Sequence, residues 1–235
     1  VFLQQGAEAV VVDQSVVEKN PKALSAYIPV HNTNEALLQF ASRYSELFSA
    51  CKIGITGSNG KTTTKEMINA ILSKKWSGWA TEGNFNNHIG VPFTLLGIKK
   101  NYRYAVVEMG TNHPGEIAQL TRAVQPDIAL ITTIGDSHLE FFHNRDNVFK
   151  EKFTIVKGLK QEGWLVVNRD DPFLAKIKPS RKYQLLTYGV ESGDVSPKKL
   201  EWDEKGCAHF TVGRSEFALS VPGRHSLSNA LAAIA

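Results

Sequence analysis

The sequence has few of the residues that mark several broad protein classes. Its two cysteines, Cys51 and Cys207, lie far apart. They form no metal-spaced pair and no disulfide framework, so a reduced, intracellular protein is the plain expectation. No apolar run approaches the ~20 residues that cross a bilayer, so no membrane span is expected. Residues 1–12 lack a basic leader and include Glu8, which argues against a secretory signal. There is no dense block of Lys or Arg. The formal charge of +4 therefore suits an anionic small molecule, and no nucleic-acid partner is expected. Internal repeats and low-complexity tracts are also missing. With 42% hydrophobic residues over 235 positions, the chain can fill a core and does not read as disordered.

What is present is an alternation of short apolar runs and helical spacings. Residues 7–12 form a β-rich run. Residues 34–48 place Ala36, Leu37, Phe40, Ala41, Tyr44 and Leu47 on one helical stripe. Further strands are expected at 52–55, 104–108, 127–134 and 164–168. Helices are expected at about 61–74, 115–124 and 146–159, and short strands with turns from about 182 to 221. Strands alternating with helices imply parallel βαβ units, an α/β fold whose ligands sit beyond the carboxyl ends of the strands. The chain opens at Val1 and stops at Ala235 within the helical run 228–235, and so reads as a piece of a longer protein.

The strongest motif is Gly54-Ile55-Thr56-Gly57-Ser58-Asn59-Gly60-Lys61-Thr62-Thr63-Thr64, which follows one expected strand and opens a helix. Glycines let backbone amides curl around phosphate oxygens, and the helix start adds the positive end of a dipole. Lys61 would reach the β- and γ-phosphates, and the Thr62 hydroxyl would face Mg²⁺. The generic phosphate loop has a glycine six residues before the lysine. Here that position is Ile55, and the glycines fall at 54, 57 and 60.

Three further residues stand at strand ends or on the next helix. Glu108 closes the strand 104–108, His138 follows the strand ending at 134, and Lys152 lies on the helix after it. A carboxylate and an imidazole can both bind a divalent metal, although either can equally be an ordinary loop residue. Val148, Phe149, Ile155 and Val156 flank Lys152 at helical spacing and put it in the middle of an apolar face. Lys150, Glu151 and Lys157 fall off that face. Lys152 either snorkels to water or is desolvated and loses basicity. A neutral amine there could take up CO₂ as a carbamate, an anion able to bind metal.

The run from Thr56 to Thr62 resembles the ATP loop of the Mur ligase superfamily, which includes the folylpolyglutamate synthetases, and the shifted glycine spacing is typical of that superfamily. Thr81-Glu82-Gly83-Asn84-Phe85-Asn86-Asn87-His88-Ile89-Gly90-Val91-Pro92 resembles the corresponding segment of its D-alanyl-D-alanine-adding members. So do Glu108-Met109-Gly110 with Gly115-Glu116-Ile117, and Ile134-Gly135-Asp136-Ser137-His138-Leu139-Glu140. Asn168-Arg169-Asp170-Asp171-Pro172 and Gly223-Arg224-His225 with Asn229-Ala230 complete the set. Glu151-Lys152-Phe153-Thr154-Ile155 stands where the family often has Ala-Lys-Gly-Glu-Ile. His143-Asn144 replaces a frequent Gly-Ser, and Ser226 a frequent Asn.

The resemblance implies a P-loop-containing, mostly parallel sheet with helices on both faces. Residues 1–49 would be the end of a smaller α/β domain that holds a UDP substrate, and 50–235 the central ATP-binding domain. It also implies that a C-terminal domain follows Ala235. The implied activity is ATP-dependent addition of D-alanyl-D-alanine to UDP-N-acetylmuramoyl-tripeptide through an acyl phosphate, by a cytoplasmic monomer. ATP would meet Gly57, Ser58, Asn59, Gly60, Lys61, Thr62, Thr63 and, near the adenine, Asn229. Asn84, Asn86 and Asn87 would face the nucleotide-sugar substrate; read alone, they could equally be turn formers. Two Mg²⁺ are implied, one on Thr62 and Glu108, the other on Glu108, His138 and a carbamate on Lys152. The rival readings are a sister ligase adding diaminopimelate or lysine, a folylpolyglutamate synthetase, a P-loop kinase, and a nucleotide-binding fragment without catalysis.

Overall fold

The structure is a computed structural model that describes residues 6–19 and 26–235. Strand β1 (Val10–Asp13), helix α1 (Gln14–Lys19) and strand β2 (Tyr27–Val30) come first, and the two strands pair in parallel as a separate small sheet. Helix α2 (Thr33–Ser45) starts at Asn32, whose side-chain oxygen accepts the amides of Asn34 and Glu35. The amides of a first helical turn lack partners inside the helix, which is why an Asn suits that position.

The main sheet follows. It is built from β3 (Cys51–Thr56), α3 (Lys61–Leu72), β4 (Gly78–Ala80), α4 (Gly90–Leu96), β5 (Tyr104–Glu108), α5 (Glu116–Val124) and β6 (Ile128–Ile131). Next come α6 (Leu139–Phe142), α7 (Arg145–Phe153), β7 (Trp164–Asn168) and β8 (Gln184–Tyr188). A small antiparallel sheet of β9 (Lys198–Trp202), β10 (Ala208–Val212) and β11 (Ser215–Ala218) precedes the last helix, α8 (Arg224–Ile234). The six main strands run in the order β4-β5-β3-β6-β7-β8, and every pair is parallel.

Strands buried on both faces explain why β5, β6 and β7 read as unbroken apolar runs. Alternate side chains serve opposite layers. Ala105, Val107, Ala129, Ile131, Leu165 and Val167 pack with α2, α4, α5 and Val148 of α7. Tyr104, Val106, Leu130 and Val166 pack with α3, α8 and β10 on the other side. The expected α/β architecture with helices on both faces is what forms.

Three expectations need correction. The buried face of α2 is Leu38, Ala41 and Ser45, whereas Phe40 and Leu47 of the expected stripe are 63% and 75% exposed. The helix is turned because Leu38 and Ala41 join the core layer shared with α4 and α5, and the Ser42 hydroxyl donates to the Ala123 carbonyl at 2.8 Å. The helix expected to reach residue 159 leaves α-geometry after Phe153 and tightens into a 3-10 turn, Thr154–Lys157. The strand expected at 127–134 pairs only over Ile128–Ile131, which leaves 132–138 to form a loop.

Because β5 and β6 flank β3 on opposite sides, the chain order reverses there. The loops leaving β3, β5 and β6 therefore meet over one end of the sheet.

Candidate phosphate and metal site

The turn after β3 depends on two glycines with positive φ, Gly57 at +148° and Gly60 at +81°. A Cβ on Gly57 would run into the Thr132 hydroxyl, and one on Gly60 into the Asn229 side chain, so only glycine fits either place. The loop leaving β6 fastens this turn. The Ser58 amide donates to the Thr133 carbonyl at 2.8 Å, the Ser58 hydroxyl accepts the Gly135 amide at 2.8 Å, and it pairs with the Ser137 hydroxyl at 2.9 Å. Thr132 donates to the Asn59 carbonyl at 2.5 Å, and the Asn59 amide donates to Thr133 at 3.3 Å. The helix start at Lys61 has no side-chain cap, so amides of its first turn face the loop.

The Lys61 ammonium donates to the Gly57 carbonyl at 2.9 Å, and burial lowers its pKa against the opposing pull of Glu108. Thr62 donates to Glu108 Oε1 at 3.1 Å, and the Asn86 amide donates to the same oxygen at 2.8 Å. Glu108 is 1% exposed, and its other oxygen, Oε2, is buried without a hydrogen-bond partner among the described residues. A buried carboxylate oxygen left unpaired is costly, and a hard divalent cation would satisfy it. Thr63 points outward and is exposed. Asn229 is buried behind the loop, where it accepts from Thr64 at 3.4 Å and touches Gly60.

The asparagine segment divides in role. Asn86 bonds Glu108 as above. Asn87 accepts the amides of Ile89 and Gly90 at 3.0 and 2.9 Å and so holds the turn that leads into α4. Asn84 is exposed, and its carbonyl accepts the Asn86 amide at 2.8 Å. Asn86 and Asn87 also line a cleft of about 420 Å³ with Asn32, Asn34, Thr111 and His113.

Lys152 is 2% exposed, and its amine has no hydrogen-bond or ion-pair partner among the described residues. Burial first, then the nearby Lys61 charge, brings its pKa down from 10.5 to about 7, while Glu151 pulls the other way. Lys150, by contrast, is exposed. His138 is exposed and sits in the left-handed region at φ +54°. Partial burial, then the charges of Lys152 and Lys61, lower its pKa. Among the described residues, no three His, Cys, Asp or Glu side chains gather closely enough to hold a metal. Glu108 and the Thr62 hydroxyl bonded to it are the oxygens this end of the sheet offers a hard cation, which ordinarily keeps several waters as well.

Glu151 corrects the sequence reading, which set it off the buried face. It is 6% exposed, and its two oxygens accept the amides of Gly115 and Ile117 at 2.8 and 2.9 Å. The signal was present, since Val148 and Ile155 flank Glu151 at i−3 and i+4, the same test that singled out Lys152. Lys65, Thr81 and Asp171 were also missed. Asp171 accepts the Ile134 amide at 2.8 Å and so ties the loop after β6 to the end of β7. Only tertiary contact reveals Thr81 and Asp171. Lys65 is a charge on the buried side of α3, beside Thr64 and Ile68.

A family model, the Mur ligase middle domain, matches residues 55–235. A UDP-N-acetylmuramoyl-tripeptide–D-alanyl-D-alanine ligase of Bacillus subtilis (strain 168) is 41% identical over 235 residues, covering 99% of this chain and 50% of that protein. A crystal structure of MurF from Acinetobacter baumannii superposes with a TM-score of 0.87 at 36% identity, covering 99% of this chain and 50% of the other. The MurF ligase of Thermotoga maritima, solved in complex with ADP, gives 0.85 at 32% identity, covering 99% and 54%. The chain thus spans about half the length of the curated relatives it matches.

Proposed function

This chain belongs to the Mur ligase family, and from that premise we propose that it is the ATP-handling part of the ligase that adds D-alanyl-D-alanine to UDP-N-acetylmuramoyl-tripeptide in peptidoglycan synthesis. The names of its relatives support the substrates, and the ADP complex of the Thermotoga maritima protein supports ATP as the nucleotide. One observation carries the reading for this chain. Thr62 and Asn86 converge on the strand end at Glu108, whose second oxygen is buried and unpaired among the described residues, and Lys61 precedes Thr62 at the start of α3.

In this reading Gly57, Ser58, Asn59 and Gly60 present amides to the phosphates, and Lys61 leaves the Gly57 carbonyl for the γ-phosphate. Thr63 and Asn229 complete the ATP contacts, Asn229 toward the adenine side. The carboxylate of the tripeptide attacks the γ-phosphate and releases ADP. The dipeptide amine then attacks the acyl phosphate carbonyl, and phosphate leaves. Two Mg²⁺, when bound, would offset the repulsion between carboxylate and phosphate. Thr62 and Glu108 would hold one, and Glu108, His138 and a carbamate on Lys152 the other. The unpaired Glu108 oxygen and the partnerless, weakly basic Lys152 amine fit those roles. Asn84, Asn86 and Asn87 would face the nucleotide sugar, Asn86 and Asn87 across the cleft they border. Residues 1–49 would complete the UDP-substrate domain, and 50–235 form the ATP domain, of a cytoplasmic monomer.

The test is phosphate release by the full-length protein with MgATP, UDP-N-acetylmuramoyl-tripeptide and an amine acceptor. Release that needs D-alanyl-D-alanine supports the proposal. Release with diaminopimelate or lysine on the dipeptide-linked nucleotide, or with glutamate on a folate, assigns a sister ligase instead. Phosphate release independent of any peptide points to a kinase or nucleotide switch.

A further inference from the structure

Lys65 lies one helical turn after Lys61 on α3 and is fully buried, with 0% exposure. Its ammonium has three protons to donate; two go to backbone carbonyls, and a carboxylate stands beside it as an ion pair. These are the Thr81 carbonyl at 2.6 Å, the Gly83 carbonyl at 2.7 Å and Glu66 Oε1 at 2.8 Å. A charge removed from water persists only when it is paired and hydrogen-bonded. Two of the three partners belong to the segment that leaves β4 rather than to α3.

Thr81 is itself a junction. Its hydroxyl accepts the Glu108 amide at 3.0 Å and the Thr94 hydroxyl at 3.1 Å, and its amide donates to the Val106 carbonyl at 2.9 Å. Three residues beyond Gly83 stands Asn86, which meets Thr62 on Glu108 Oε1. A closed path thus runs from the phosphate-loop helix through Lys65 to residues 81–83, on to Asn86 and Glu108, and back through Thr62 to the same helix.

We propose that Lys65 is a positioning residue that fixes the asparagine-bearing loop against the phosphate-loop helix. It thereby sets where the carboxylate of the nucleotide-linked peptide stands relative to the γ-phosphate. The inference rests on the ligase reading for its substrate. Its consequence is asymmetric, because the phosphate loop is held independently by the loop after β6, whereas Lys65 is the direct tie from α3 to residues 81–83, the root of the segment carrying Asn84 and Asn86. Loss of Lys65 therefore damages use of the peptide substrate more than use of ATP.

The experiment compares wild-type and Lys65→Met full-length protein by steady-state phosphate release, varying each substrate in turn. Expected is a fall of roughly 100-fold in kcat/KM for the nucleotide-linked peptide, the scale of a small misplacement of reacting groups, with the KM for MgATP within about 3-fold. Unchanged peptide kinetics in a folded variant, or equal changes for both substrates, would overturn the proposal. If Lys65→Met does not fold, Lys65→Gln, which keeps a donor for the carbonyls, is judged by the same split. If the wild type ligates nothing, the ligase reading fails, and hydrogen exchange then decides the role of Lys65. MgATP should slow amide exchange at residues 84–87 in the wild type and not in the variant; equal slowing in both sinks the proposal.

Discussion

Lys61 rests on the Gly57 carbonyl at 2.9 Å, a neutral acceptor that a phosphate oxygen would replace with a charge-assisted bond. The Lys61→Ala variant is expected to lose MgATP binding measured by calorimetry, and equal binding in both proteins would remove Lys61 from the site. Lys152 makes a different prediction. Burial brings its pKa from 10.5 to about 7, so between those values the unfolded chain holds a proton that the folded chain lacks. Stability must then rise with pH from about 7 toward 10.5, by at most about 1.4 kcal/mol per pH unit from this group, and the full penalty applies below 7. Other groups titrate too, so the quantity to measure is the difference in unfolding free energy between wild type and Lys152→Met in CO₂-free buffer. A difference that does not change with pH would mean that the amine is not buried in solution. In the full-length protein, Lys152→Ala should lose turnover and regain part of it in added formate or acetate, which can stand in for the carbamate; a variant as active as the wild type would exclude Lys152 from the site.

Between α5 and α7 one side chain does the joining. Glu151 takes the amides of Gly115 and Ile117, groups at a helix start that no residue of that helix can satisfy. Glu151→Ala would strand them and is expected to cost about 1–3 kcal/mol in urea unfolding. A loss under ~0.5 kcal/mol would show that water replaces the carboxylate without penalty. Elements differ in how plainly the sequence announces them. Residues 104–108 and 164–168 were legible to the residue, because a strand covered on both faces is a continuous apolar run closed by a polar residue, here Glu108 and Asn168. Strand β4, three residues long, and α4, a seven-residue helix opening Gly-Val-Pro, carry too few positions to show a period. The turn leading into α4 is held by Asn87, which accepts the Ile89 and Gly90 amides, and that asparagine reads in sequence as a turn former or a substrate contact. The face of α2 was misread for a related reason. Its spacing offers Phe40 and Leu47 as well as Leu38 and Ala41, and only the presence of α4 and α5 beside it selects the second pair. The site was more legible than the layers around it, because Lys61, Glu108 and Lys152 each follow from a local rule, whereas Lys65, Thr81 and Asp171 act through residues distant in sequence.

At the scale of the whole molecule, the two core layers meet across six parallel strands, and the loops at one sheet end assemble every group assigned here to the phosphates. Nucleotide binding is therefore expected of these residues alone, since the phosphate turn is fastened by Thr132, Thr133 and Gly135 of the same chain. Ligation asks for more. Two substrates besides ATP must be aligned within a reacting distance, and this chain spans about half the length of the relatives that carry the ligase name. The 235-residue chain is accordingly expected to bind MgATP with one site in calorimetry. With UDP-N-acetylmuramoyl-tripeptide and D-alanyl-D-alanine added, it should release phosphate no faster than its Lys61→Ala variant, while the full-length protein turns over. Dipeptide-dependent release by the 235-residue chain would place all the reacting groups within it and remove the need for any other part of the protein in the chemistry. Binding without release would put acceptor alignment, and not phosphate activation, in the part of the relatives that this chain does not span.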